Sequence, residues 1–196
     1  MLLINNNGEN NLISLENDDN LNGGVSISAN NNKLKIGAGC KAHNLKIDLG
    51  ENCNVLIGDN CTLGCLNIWA SRDAEIIIGS DSNFTWIAQI SCHEPSSIMI
   101  GSNFLCATDV LITSSDMHGI YDLETGERVN PAKNIVINES VWLGIGAIVL
   151  KGSKVGHDSI IGARSVVMGE IPNNSVAVGN PARVIKQNVF WKHTLD

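Results

Sequence analysis

Residues 135–169 read IVINESVWLGIGAIVLKGSKVGHDSIIGARSVVMG, and this stretch decides the fold. Ile137, Leu143, Val149, Val155, Ile161 and Val167 stand six residues apart without interruption. Four positions after each of the first five come the compact residues Val141, Ala147, Ser153, Ser159 and Ser165. Asn138, Gly144, Gly156 and Gly162 directly follow four of the leading aliphatics. A six-residue recurrence fits neither a helix of about 3.6 residues per turn nor a simple half-buried strand. It fits a parallel β-helix, in which each leading aliphatic plugs one layer and Gly or Asn eases the turn that follows.

Working outward, the same grammar continues upstream on a longer beat. Ile36-Gly37, Ile57-Gly58, Ile78-Gly79 and Ile100-Gly101 are spaced 21, 21 and 22 residues apart. That beat is three hexads plus a few extra residues, so the spacing predicts a three-sided coil with short loops. Cys40, Cys53 and Cys61 fall in the small inward slot after Ile36, Leu49 and Ile57. The beat breaks once, because Ile100 to Ile137 spans 37 residues. The excess lies at about residues 114–133, SSDMHGIYDLETGERVNPAK. An excursion of this length from a regular solenoid points to a functional loop.

Three regions result. Residues 1–32 hold 11 of the 25 Asn and little hexad pattern, which predicts an irregular N-terminal coil or cap protecting the solenoid end. Asn side chains at equivalent turns of successive coils are expected to pair as ladders. Residues 33–180 form the all-β solenoid with its excursion. Residues 181–196 lose the hexad and are expected to form a short C-terminal helix or tail.

Composition agrees. Of 196 residues 43% are hydrophobic but only 4% aromatic, so the core must be built from small aliphatic side chains. No apolar run approaches the roughly 20 residues of a membrane span. MLLINNNGEN lacks the basic and apolar regions of a signal peptide, so a cytoplasmic chain is expected. Six cysteines then read as reduced, buried filler rather than disulfides or zinc ligands. The net charge is −7, with −11 over residues 1–127 and +4 over 128–196. Such an acidic chain is a poor nucleic-acid binder, while its basic end suits a small polyanionic ligand.

No two of the five histidines stand four residues apart, and no metal site is expected. His43, His93 and His157 read as structural or solvent-facing. His118 differs by its place in the one excursion, between Asp116 and Gly119.

The run VWLGIGAIVLKGSKVGHDSIIGARSVVMGEIPNNSVAVGNPARVIK resembles the C-terminal half of the hexapeptide-repeat acyltransferases. The excursion SSDMHGIYDLETGERVNPAKNIVI resembles that of bacterial capsule and polysialic acid O-acetyltransferases. The resemblance implies a left-handed parallel β-helix, a homotrimer with active sites between subunits, and acetyl-CoA as donor to a carbohydrate hydroxyl. It makes His118 the general base, since a neutral imidazole can take the proton of an attacking hydroxyl. Trp142 would lie near the thioester and the acceptor sugar. The backbone N–H of Gly144 or Ile145 is the expected oxyanion donor. Ile145, Ala163 and Arg164 would line the pantetheine groove, and Arg183 and Lys186 would meet the CoA phosphates. Met168-Gly169 stands where many relatives have Thr-Lys and falls at the same cofactor end. Tyr121, Asp116 and Arg128 are candidate acceptor contacts; Asp116 could orient His118 or cap the loop turn, and Arg128 could instead brace the loop. N-acetylation of an amino sugar and a non-catalytic scaffold or glycan-binding solenoid are the alternatives that the hexads leave open.

Overall fold

The computed structural model describes residues 1–16 and 19–195, so Asn17, Asp18 and Asp196 lie outside the described residues. The chain winds as a parallel β-solenoid with three faces. Among the described residues, face 1 stacks eight strands from Leu2–Asn6 to Val166–Val167. Face 2 stacks eight from Leu12–Leu15 to Glu170–Ile171, and face 3 six from Asn83–Phe84 to Ala182–Gln187. Corner I joins face 1 to face 2, corner II joins face 2 to face 3, and corner III returns to face 1.

The leading aliphatics form continuous columns. Ile36 pairs with Ile57, Ile57 with Ile78, and Ile78 with Ile100. Ile100 pairs with Ile137 across the 37-residue gap, and Ile137 with Val155. The excursion therefore leaves the register untouched. All six of these side chains are buried, as are the compact residues Val141, Ala147, Ser153, Ser159 and Ser165. The inward serines are satisfied by the coil backbone; Ser159 Oγ donates to the Pro172 carbonyl at 2.8 Å.

Corners are built from residues that tolerate left-handed backbone. At corner II, Asn60, Asp81, Asn103, Ser140, Asp158 and Asn174 all have φ between 52° and 59°. Successive members pair along the axis, Asn60 Nδ2 donating to Asp81 Oδ1 at 3.3 Å and Asn103 Nδ2 to Ser140 Oγ at 3.0 Å. At corner I, buried Asn32 donates to Asn11 Oδ1 at 3.1 Å and to the Gly50 carbonyl at 2.8 Å. The expected ladders are present. Coils approach closely here: a Cβ on Gly79 would lie 2.4 Å from the Ser102 nitrogen.

Two terminal expectations are corrected. Residues 1–32 are not an irregular coil: Leu2–Asn6 pairs with Leu21–Ile27 on face 1, and Leu12–Leu15 with Lys33–Ile36 on face 2. Leu2, Leu21, Val25 and Ile27 point inward, while Asn10, Asn11, Asn31 and Asn32 occupy corner I. Of the expected C-terminal helix or tail, the described residues form no helix but a strand followed by a tail. Ala182–Gln187 turns back antiparallel on Ser175–Gly179 and closes the edge that the last parallel strand leaves open. Beyond it, the tail climbs corner II. Val189 N–H donates to the Asn174 carbonyl at 3.1 Å, Trp191 Nε1 donates to the Ser140 carbonyl, and His193 Nε2 meets Asn103 Oδ1 at 3.2 Å.

Five cysteines are buried and Cys65 is half-buried, all as free thiols. Burial pushes the Cys53 and Cys106 thiols up from their ordinary values. His43 stacks on Trp86, and His93 sits edge-on to Trp69 at 4.4 Å.

Candidate active site

The excursion leaves face 1 after Thr113, at corner I, and rejoins face 2 at Ile135. Its root is a charged clamp. Glu94, on the same corner one coil earlier, takes both arms of the Arg128 guanidinium, with Nη2 to Oε1 at 2.8 Å. Ser115 Oγ donates to the same carboxylate. The Arg128 guanidinium and the Ser115 hydroxyl hold the Glu94 carboxyl down at about 2. Further out, Tyr121 and Arg128 form an antiparallel bridge. The Asp122 carboxylate caps the tip turn by accepting from the N–H groups of Glu124 and Thr125 at 2.9 and 2.8 Å.

His118 lies on the inner arm of this loop. It is exposed, and its ring makes no hydrogen bond to any described residue. Its backbone N–H donates to the Asp116 carbonyl at 2.8 Å. Asp116 does not orient the ring through its carboxylate. That group instead accepts from Lys151 Nζ, one coil further along, and from Asn130 Nδ2 at 2.8 Å. The Lys151 ammonium and the Asn130 amide lower the Asp116 carboxyl from its ordinary range. Tyr121 is exposed and lays its ring on Gly119, where a Cβ would lie 2.7 Å from Cε2. Of the three candidate acceptor contacts, Asp116 and Arg128 are thus engaged within the chain, and Tyr121 alone presents a free group.

A second set of residues gathers on face 3 and corner III. Trp142 points outward between buried Val141 and Leu143 and is 38% exposed. The tail brings Trp191 beside it, with ring centroids 6.2 Å apart. Gly144 is corrected as an oxyanion donor, because its N–H is already spent on the Ile161 carbonyl at 2.8 Å. The Ile145 N–H takes no part in the backbone ladder. Ile145 and Ala163 stack on successive coils at corner III, both exposed, and Arg164 N–H donates to the Ile145 carbonyl at 2.7 Å. Arg183 and Lys186 are exposed on the antiparallel edge strand of face 3. Met168 and Gly169 lie apart from these, at corner I, one coil beyond Lys151.

Within one chain the candidate residues therefore form two half-sites. Corner I carries His118, Tyr121, Met168 and Gly169; face 3 and corner III carry Trp142, Ile145, Ala163, Arg164, Arg183 and Lys186. Residue patterns did not reveal Glu94, Asn130, Lys151 or Trp191. The first three are polar residues whose partners lie on neighbouring coils or across the loop. Trp191 did carry a signal, as a lone indole in a polar tail. No group of His, Cys, Asp and Glu able to hold a metal ion forms among the described residues. Nor is any described helix long and apolar enough to cross a membrane.

No family model matches the chain. A polysialic acid O-acetyltransferase of Escherichia coli O1:K1 / APEC is 32% identical over 128 residues, 65% of this chain and 41% of that protein. A Saccharomyces cerevisiae protein provisionally named an acetyltransferase is 35% identical over 132 residues, 58% of this chain and 67% of the relative. The crystal structure of the polysialic acid O-acetyltransferase OatWY superposes with a TM-score of 0.86 at 27% identity, covering 100% of this chain and 93% of that one. The matches span about half the length, or less, of the first curated relatives, 41%, 50% and 48%. The uninterrupted hexads, the three parallel faces and this likeness along the whole solenoid place the chain in the hexapeptide-repeat acetyltransferases, the left-handed parallel β-helix family.

Proposed function

We propose that the protein is an acetyl-CoA-dependent O-acetyltransferase that modifies a hydroxyl of a bacterial capsular or other surface polysaccharide, with sialic-acid polymers as the leading acceptor class. The reading rests on one observation above the others. An exposed histidine with an unoccupied ring stands on a loop clamped to an otherwise monotonous solenoid. The polysialic acid acetyltransferases among the relatives support the acceptor class.

The split of the residues into two half-sites supports a homotrimer in which corner I of one subunit meets face 3 of the next. Closed cyclic symmetry would then repeat the same contact three times. In that arrangement His118 accepts the acceptor hydroxyl proton as oxygen attacks the thioester carbonyl. The Ile145 N–H is the remaining backbone donor for the oxyanion. Trp142 and Trp191 offer apolar faces on which a sugar ring or the pantetheine arm packs. Ile145, Ala163 and Arg164 line the pantetheine groove, and Arg183 and Lys186 supply positive charge for the CoA phosphates.

The test is CoA release from acetyl-CoA in the presence of sialic-acid oligomers and other capsular oligosaccharides. His118→Ala is expected to lower kcat by roughly 100- to 10,000-fold, the range of general base catalysis, while the chain stays folded. Unchanged turnover would sink the base assignment. An acetylated product that resists alkali would be an amide and would contradict O-acetylation.

A further inference from the structure

The His118 ring has no hydrogen-bond partner among the described residues, so its placement depends on the backbone of residues 116–120, which sets where the Cα–Cβ bond starts and which rotamers are open to it. Ser115 Oγ holds the Met117 N–H at 3.0 Å, and one other side chain gathers the three residues 116, 118 and 120. Asn130 is 7% exposed, although it sits on a loop whose residues 116–129 are otherwise exposed. Its Nδ2 donates to Asp116 Oδ2 and to the His118 carbonyl, each at 2.8 Å. Its Oδ1 accepts from the Ile120 N–H at 2.6 Å and from Arg128 Nε at 3.3 Å. Two donors and two acceptor positions are thus all in use, the full capacity of an amide side chain. The residues it ties on the inner arm are 116, 118 and 120, alternate positions centred on the histidine.

Asn130 is itself anchored to the solenoid. Its carbonyl accepts from Lys151 Nζ at 3.0 Å and from Arg128 Nη2 at 3.3 Å. Lys151 follows the face 1 strand Ile148–Leu150, and Arg128 is locked to Glu94. Lys151 and Ser115 reach Asp116 and Met117 directly, but the only side-chain bonds from the described residues to the His118 carbonyl and the Ile120 N–H come from this one amide.

We propose that Asn130 is the positioning residue for His118, fixing the imidazole for proton abstraction without touching the reactants. The proposal rests on the reading of His118 as the general base. No other side chain meets the requirement at this site. Asp would replace both N–H donors with oxygen lone pairs and set a second carboxylate against Asp116. Ala would leave the His118 carbonyl and the Ile120 N–H without protein partners. Gln would carry the amide one methylene too far.

The experiment compares Asn130→Asp and Asn130→Ala with the wild type, using acetyl-CoA and an acceptor that the wild-type protein acetylates. Asn130→Asp, nearly isosteric, serves as the deciding variant should the alanine variant fold poorly. Both are expected to lower kcat by roughly 10- to 100-fold, the scale of a misplacement of about 1 Å. The KM for acetyl-CoA should stay within about twofold, because the donor-binding residues lie mainly on other faces of the chain. The discriminating measurement adds Asn130→Asp to His118→Ala. A residue that acts only through the imidazole has nothing further to lose, so the double variant should match His118→Ala alone. A kcat loss under twofold, a KM that rises as far as kcat falls, or a multiplicative loss in the double variant would each overturn the proposal. If His118→Ala itself turns over normally, the base assignment fails instead, which is a different result.

Discussion

Glu94 is the residue on which the loop root leans most heavily, and its titration makes that measurable. Its carboxyl is held near 2 against an ordinary 4.5 by Arg128 and Ser115. A depressed folded value means that the unfolded chain binds this proton first as pH falls. The stabilisation is therefore complete above about pH 4.5 and lost progressively down to about 2. Glu94→Gln should cost about 1–3 kcal/mol at neutral pH, the scale of hydrogen bonds to a charged group. Its melting midpoint should converge on that of the wild type as acid is added, and midpoints that stay parallel from pH 7 to 2.5 would contradict the assignment. The cysteines give a second expectation. In the folded chain a thiol reagent should reach Cys65 at most, and all six cysteines only after unfolding. Inward residues such as Cys40 and Ser153 were legible from spacing, because position in the hexad alone sets their direction. Asn130 was not, because its inner-arm partners stand ten to fourteen residues away within a loop that has no period.

The excursion is an element added to a finished coil. Ile100 and Ile137 pair in register on either side of it, and none of residues 116–129 enters the core. Replacing residues 116–131 by a short turn should lower the melting midpoint by no more than Glu94→Gln does, since it breaks the same clamp, and abolish acetyl transfer. Loss of the folded state on that deletion would mean that the loop stabilises the solenoid. The corners are less forgiving. Gly79→Ala drives a methyl group against the next coil and should cost about 1–3 kcal/mol, read as a lowered denaturation midpoint. At this scale the sequence spoke clearly where hexads run unbroken and poorly at the two ends. Residues 1–32 keep the 21-residue beat, Leu15 pairing with Ile36, but lack the Ile-Gly step that marks the later coils, so regular strands look irregular. The last strand obeys a different logic, that of covering an open edge, which no repeat encodes.

Across the whole molecule, the separation of His118 from Trp142 onto different faces has a testable outcome. His118→Ala and Trp142→Ala chains should each be nearly inactive alone. Unfolded together and reassembled, they should regain about one quarter of the wild-type sites if a site takes His118 from one subunit and Trp142 from its neighbour. No recovery would indicate that each chain builds its site alone. The charge asymmetry fits the same picture. The basic C-terminal third carries the residues proposed to bind the donor, while the acidic remainder supplies the longer part of the stack and His118.

That length is open to adjustment. Each coil contacts only the coils on either side, so the stack ahead of the excursion is a dimension that can change without retuning the chemistry. Inserting a second copy of residues 37–57 should lengthen the rod by about 4.8 Å and leave kcat alone. Any change would fall on how far a long polymer chain is in touch with the protein while one of its sugars reacts. Stature and chemistry are, in this fold, separately heritable traits.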